Sequence, residues 1–143
     1  MNDNLVATAT VRVAAGPDDV WRAITDPELV ARYYFGTTLE SDWEPGSPIT
    51  WTGEYEGTRY HDHGTVLEVV PRERLVHTHF SPLTGREDVP ENYHTLTWTL
   101  KEQPGATEFT LSQDNNASAG EAEHSKGMWD SLVAGVKKVA ERE

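Results

Sequence analysis

The sequence predicts an α+β fold, in which a long run of antiparallel strands is followed by one long C-terminal helix. Three observations lead there. Apolar and polar residues alternate in short stretches from Thr37 to Gln113, the pattern of strands with one dry and one wet face. Two helix starts, each marked by a proline, separate that run from a first strand. Beyond Ser118 the apolar spacing changes from two to three and four, the period of a helix with one buried face.

The elements follow in order. In "NLVATATVRVAAG", Ala7, Ala9, Val11 and Val13 share one face, and Thr8, Thr10 and Arg12 the other. In "GPDDVWRAIT", Pro17 suits the first helical position and Asp18 and Asp19 suit the positive helix end, with Val20, Trp21 and Ile24 as the apolar stripe. "DPELVARYY" repeats the device with Asp26 as cap. "EPGSP" and "QPGA" are turns. "ITWTGEY" alternates through Ile49, Trp51 and Tyr55, "HTLTWTL" through Leu96, Trp98 and Leu100, and "TEFTLSQ" through Phe109 and Leu111. "FSPLTGREDVPENY" is a long polar loop, expected to act as a rim or lid. Ser118 and Glu121 fit a capping box, followed by Trp129, Leu132, Val133, Val136, Val139 and Ala140 on one helical face. From Ser118 to Ala140 that helix would run ~35 Å. Gly120, Gly127 and Gly135 inside it point to close packing of helix on sheet, or to room for a ligand.

Composition narrows the function. The 143 residues suit one domain, 1–143. With no cysteine, disulfides, thiolate metal sites and cysteine nucleophiles are excluded. A formal charge of −12 disfavours nucleic acid, which needs a basic face. No apolar stretch reaches the ~20 residues of a membrane span. The first ten residues lack a basic, then apolar, leader, so a cytoplasmic protein is expected. No phosphate loop, dinucleotide fingerprint, nucleophile elbow or zincin motif is present, and no cofactor is expected.

Four of the six histidines fall in "YHDHGTVLEVVPRERLVHTHF", residues 60–80. Read as a hairpin with Pro71–Arg74 as its loop, this stretch sets Val70 opposite Leu75, Glu68 opposite His77 and Val66 opposite His79. His61 and His63 then point to the other sheet face from His77 and His79, and His63 lies about 10 Å along the ladder. Zinc needs its nitrogens ~2 Å from one ion, so no metal site is expected. Glu68 and His77 become a cross-strand pair, either a polar couple inside a cavity or a plain structural or solvent-facing contact; a bulge near Glu68 would let both sets of strand residues be buried. A facing carboxylate would raise the pKa of His77.

Several of these stretches resemble a known family. The order of elements resembles the START-like helix-grip superfamily (SRPBCC). "VWRAITDPELVARYYFG", "GTVLEVVPRERLVHTHF", "TLTWTLKEQPGATEFTLSQDN" and the tryptophan of "HSKGMWDSLVAGVKKV" resemble signatures of bacterial homologues of the activator of heat-shock-chaperone ATPase, the Aha-type, polyketide-cyclase-like group. The resemblance spans roughly 11–139. It implies a curved antiparallel sheet of six or seven strands gripping the C-terminal helix, with a cavity between. That family commonly carries aromatics where His77 and His79 stand and tends to tryptophan at Tyr33 and Tyr34, which implies a more polar pocket here.

The expected function is a non-catalytic pocket protein holding a small, partly apolar or aromatic molecule. Its candidate ligand-binding residues are Tyr34, Trp51, Glu68, His77, His79, Leu96, Trp98 and Trp129. The tryptophans also suit plain core. The alternatives are a co-chaperone-like module with a protein partner, and an enzyme using Glu68 and His77 as acid and base.

Overall fold

The computed structural model describes residues 5–34, 36–82, 85–116 and 118–142, without the side chains of residues 55 and 142. The expected Tyr55 stripe position and residues 83–84 of the polar loop therefore lie outside the described side chains and residues. Seven strands form one antiparallel sheet: β1 (Leu5–Val13), β2 (Thr38–Ser41), β3 (Pro48–Tyr55), β4 (Thr58–Val70), β5 (Arg74–His79), β6 (His94–Gln103) and β7 (Ala106–Asn116). Their order is β1-β7-β6-β5-β4-β3-β2, and the sheet curves around the last helix. Helices α1 (Pro17–Thr25) and α2 (Pro27–Tyr33) follow β1, and α3 (Ala119–Arg142) closes the chain.

The local signals act as their chemistry dictates. Pro17 and Pro27 open α1 and α2, and Asp26 accepts from the Glu28 amide at 3.0 Å, satisfying an orphan donor of the first turn. Ser118 accepts from the Glu121 amide at 3.1 Å, while the Glu121 carboxylate turns outward to Arg86. Only the serine half of the expected capping box is therefore described. Gly46 and Gly105 take positive φ in the two expected turns, where a Cβ would be strained.

The apolar faces read from the sequence are the ones buried. Ala7, Ala9 and Val13 of β1, Phe109 and Leu111 of β7, and Leu96, Trp98 and Leu100 of β6 meet Trp129, Leu132, Val133 and Val136 of α3. Of the helix glycines, Gly135 is the close-packed one. An added methyl would stand 2.7 Å from Cβ of Tyr33, so the contact is with α2 and not with the sheet. Space is open around Gly127.

The β4–β5 hairpin departs from the expected register. Its loop is Pro71 to Glu73, β5 starts at Arg74, and a bulge sits between Val66 and Glu68. Val70 faces Arg74, Val69 faces Leu75, Glu68 faces Val76 and Val66 faces His77. The bulge puts two successive residues on one side of the strand. Leu67 is half exposed, and Glu68 lies on the outer face, where Arg74 grips it with two hydrogen bonds of 2.9 and 3.0 Å. Glu68 and His77 are thus not a pair. The direct test is a proton titration of His77, which is expected to be the same in the wild type and in Glu68→Gln.

Candidate functional site

Inward-facing positions build the site strand by strand. On β4 these are Tyr60, Asp62, Gly64 and Val66, with His61 and His63 on the other face. On β5 they are Leu75, His77 and His79. His61/His63 and His77/His79 therefore lie on opposite sides of the sheet, as their parity requires. Among the described residues no three histidines or carboxylates converge as a metal site would.

His77 sits in the core, 1% exposed. Its Nδ1–H donates to the Thr78 carbonyl at 2.9 Å, and its Nε2 accepts the indole N–H of Trp98 at 2.9 Å. Both nitrogens are satisfied only in the neutral ring. Burial drives its pKa down to about 4, and the neighbouring His79 pushes the same way against the Thr78 hydrogen bond. The raised value expected from a facing carboxylate is corrected with the register.

The sign of the linkage follows. Below its ordinary value of 6.5 an unfolded His77 takes up a proton that the folded ring refuses. Stability is then expected to fall as pH drops from about 6.5 to about 4, and to level off below. Between pH 7 and pH 5 the loss from this group is about 2 kcal/mol. Urea unfolding at the two pH values checks it, with His77→Gln as the variant whose pH dependence is reduced by that amount.

Around His77 the space between sheet and helices is nearly full. A void of about 20 Å3 remains among Trp51, Leu75, His77, Trp98, Tyr34 and Ile49, room for one water at most. Trp51 wedges against both imidazoles, its ring 5.1 Å from His77 and 5.0 Å from His79. Trp51, His77, Leu96 and Trp98, all expected to line a pocket, are less than a tenth exposed and belong to the packed layer.

The open space lies one layer further along. A cavity of about 420 Å3 is bounded by Tyr34, Asp62, His79, Phe80, His94 and Gln113 on the sheet side. Its far wall is the start of α3, where Glu121, His124, Ser125, Met128 and Trp129 repeat at helical spacing. Ser81, Arg86 and Asn92 of the polar connection form the rim, as expected of that loop. A larger hollow of about 710 Å3 lies over Thr38, Glu54, Arg59 and His61. Those residues are exposed strand side chains, so it is an open surface concavity between strands.

The cavity's frame is rigid and polar at its joints. The indole N–H of Trp129 donates to Gln113 Oε1 at 2.7 Å. Ser125 donates to Asn116 Oδ1 at 3.0 Å, and Asn116 donates on to the carbonyls of Leu5 and Gln113. Buried hydrogen bonds of this kind fix one packing of helix on sheet. On the rim, Arg86 bridges to Glu121 at 3.1 Å. Outside it, His63 contacts Asp88 at 3.1 Å and Tyr93 at 2.9 Å, and Tyr93 donates to Asp88, which pushes its phenol up to about 12.

The deep end holds a carboxylate–imidazole pair. His79 Nε2–H donates to Asp62 Oδ2 at 3.0 Å. The two are diagonal neighbours, since His63 bridges to Phe80. Next to them on β4 is Gly64, whose missing side chain lets the β5 backbone at Thr78 come close. Asp62 is 8% exposed. Its Oδ1, His79 Nδ1 and the Tyr60 hydroxyl are buried without a partner among the described residues. Leaving such an atom unpaired costs roughly 1–3 kcal/mol. Burial pushes the Tyr34 phenol far up, helped by the Asp62 charge and by Tyr60.

Of the residues expected from the sequence, Tyr34, His79 and Trp129 meet at this cavity, while Glu68 is remote on the outer face. Asp62, His94 and Gln113 were missed. Each interrupts an otherwise apolar inward stripe with a polar residue, and that interruption was the available signal.

A seven-stranded sheet curled about a C-terminal helix, with a cavity between them, defines a helix-grip protein of the SRPBCC class. The chain belongs to the family described as activator of Hsp90 ATPase homolog 1-like protein, whose model matches residues 14–141. No curated protein matches it. Among solved structures it is similar to ChR145 from Cytophaga hutchinsonii, at 43% identity and a TM-score of 0.86 over 99% of this chain and 97% of that one. The fold is also that of DynU16 from the dynemicin biosynthetic locus (23% identity, TM-score 0.78, 95% of this chain and 47% of that one). It is likewise that of the Aha1 dimer from Colwellia psychrerythraea (15% identity, TM-score 0.73, 95% and 96%). No helix among the described residues is long and apolar enough to cross a membrane.

Proposed function

We propose that this protein holds a small, partly apolar molecule in the cavity between the sheet and the start of α3. The observation that carries this reading is the cavity itself, about 420 Å3 with Met128 and Trp129 among its walls and Asp62 and His79 at its deep end. Ligand sites are typically concave and apolar with a few placed polar groups, at volumes of this order. Family membership agrees with it without naming a ligand. An acid–base role for Glu68 and His77 gains no support, because they are on different faces and both His77 nitrogens are engaged.

The test is a nuclear magnetic resonance titration with a mixed library of aromatic fragments. Shifts are expected to cluster at the Trp129 indole, the His79 ring and the Met128 methyl. Shifts that appear only on the outer-face threonines, and only with a protein partner, would favour an interaction module and remove the cavity reading.

A further inference from the structure

We infer that the polar end of the ligand is a cationic nitrogen, a protonated amine or amidine, seated against Asp62 and His79. The inference rests on the proposed function above and adds the chemistry of the head group. It starts from what the deep end offers. Asp62 Oδ2 is held by His79 Nε2, whereas Asp62 Oδ1, an acceptor, has no partner among the described residues. Buried polar atoms left in this state point to a missing donor. An ammonium brings three donors and no acceptor, and an amidinium brings a planar pair. A carboxylate would bring acceptors to acceptors.

Charge points the same way. Among the described residues that line the cavity, Asp62 and Glu121 are acidic and Arg86 alone is a lysine or arginine. Arg86 is bonded to Glu121 on the rim. The fixed charges thus leave one net negative charge, and its carboxylate lies at the buried end. The remaining titratable neighbours are His79, His94, His124 and Tyr34. Shielding from solvent strengthens the attraction for a cation and the repulsion of an anion. Because Asp62 Oδ1 is covered, the ligand engages it through a small turn of the Asp62 side chain. Met128 and Trp129 are placed to receive an apolar body behind the head.

Three probes with one body separate the outcomes: phenethylamine, phenethyl alcohol and hydrocinnamate, titrated into the full chain while the Trp129 indole and His79 signals are followed. Phenethylamine is expected to bind at least about tenfold more tightly than hydrocinnamate, with the alcohol between, the scale of one charge-assisted bond. Asp62→Asn is expected to weaken the amine about tenfold and to bring the three probes together. Equal or tighter binding of hydrocinnamate at those signals overturns the head-group inference and leaves the cavity reading standing. Amine binding unchanged in Asp62→Asn also overturns it. If no probe moves those signals, both fall. The wild-type series decides the matter even if the variant does not fold.

Discussion

Replacing Gly64 by alanine is expected to destabilise the fold by about 3 kcal/mol or more, at the top of the range for overpacking. The position faces inward on β4, where β5 crosses most closely. An added methyl would overlap the carbonyl oxygen of Thr78 and stand 2.5 Å from its carbonyl carbon. Both are backbone atoms held in a ladder, so no flexible side chain can swing away. Relief requires the strands to part, which would break the His63–Phe80 bridge, with its hydrogen bonds of 2.7 and 3.0 Å, and draw His79 away from Asp62. Urea unfolding with an unchanged slope measures the loss. A loss under ~1 kcal/mol, within the ordinary range for single substitutions, would mean that β4 and β5 stand further apart than described.

The second large effect is expected at Trp129. Trp129→Ala should cost on the order of 3–5 kcal/mol, the usual range for a buried large aromatic. The indole is 5% exposed and bonded to Gln113, so truncation removes apolar contact and also strips an acceptor of its donor. Trp129→Phe separates the two contributions. It keeps most of the ring and loses the N–H, at an expected cost of about 1–3 kcal/mol. Thermal or urea melts of both variants check the order. A loss within ~0.5 kcal/mol for the alanine variant, typical of surface sites, would show that this face of α3 does not pack on the sheet.

Much of the fold was legible in the sequence, because alternation and helical spacing report which side of an element is dry. Leu96, Trp98, Phe109, Leu111 and the α3 stripe are buried as the pattern requires. The cross-strand partners of His77 and His79 were not legible. A period-two reading assumes one residue per step, and the bulge at Leu67–Glu68 breaks that assumption without any glycine or proline to mark it. That inserted position, together with a loop one residue shorter than expected, sent Glu68 outward to Arg74 and set Val66 opposite His77. The site shifted for a related reason. The histidines drew attention, yet the carboxylate between two of them, Asp62, shares its face with Gly64 and Val66 and so points inward. Which part of the sheet–helix space is filled depends on volumes, and no spacing reports those.

The pairing of β1 with β7 also bears on how the chain reaches this state. The hydroxyls of Thr8 and Ser112 touch across 104 positions of sequence, and Lys137 reaches back to the Arg12 carbonyl across 125. As the ribosome extends the chain, β1 emerges early, and its ladder partner appears only after five further strands. Until then its backbone groups are an unpaired edge, open to strands of other chains. Contacts this remote are slow to close, so folding should complete only when β7 and α3 are free of the ribosome. A nascent chain halted before residue 106 would carry a sheet with no closing strand and no helix to grip. Holdase chaperones and mutual repulsion among acidic chains are the protections available to it over that interval.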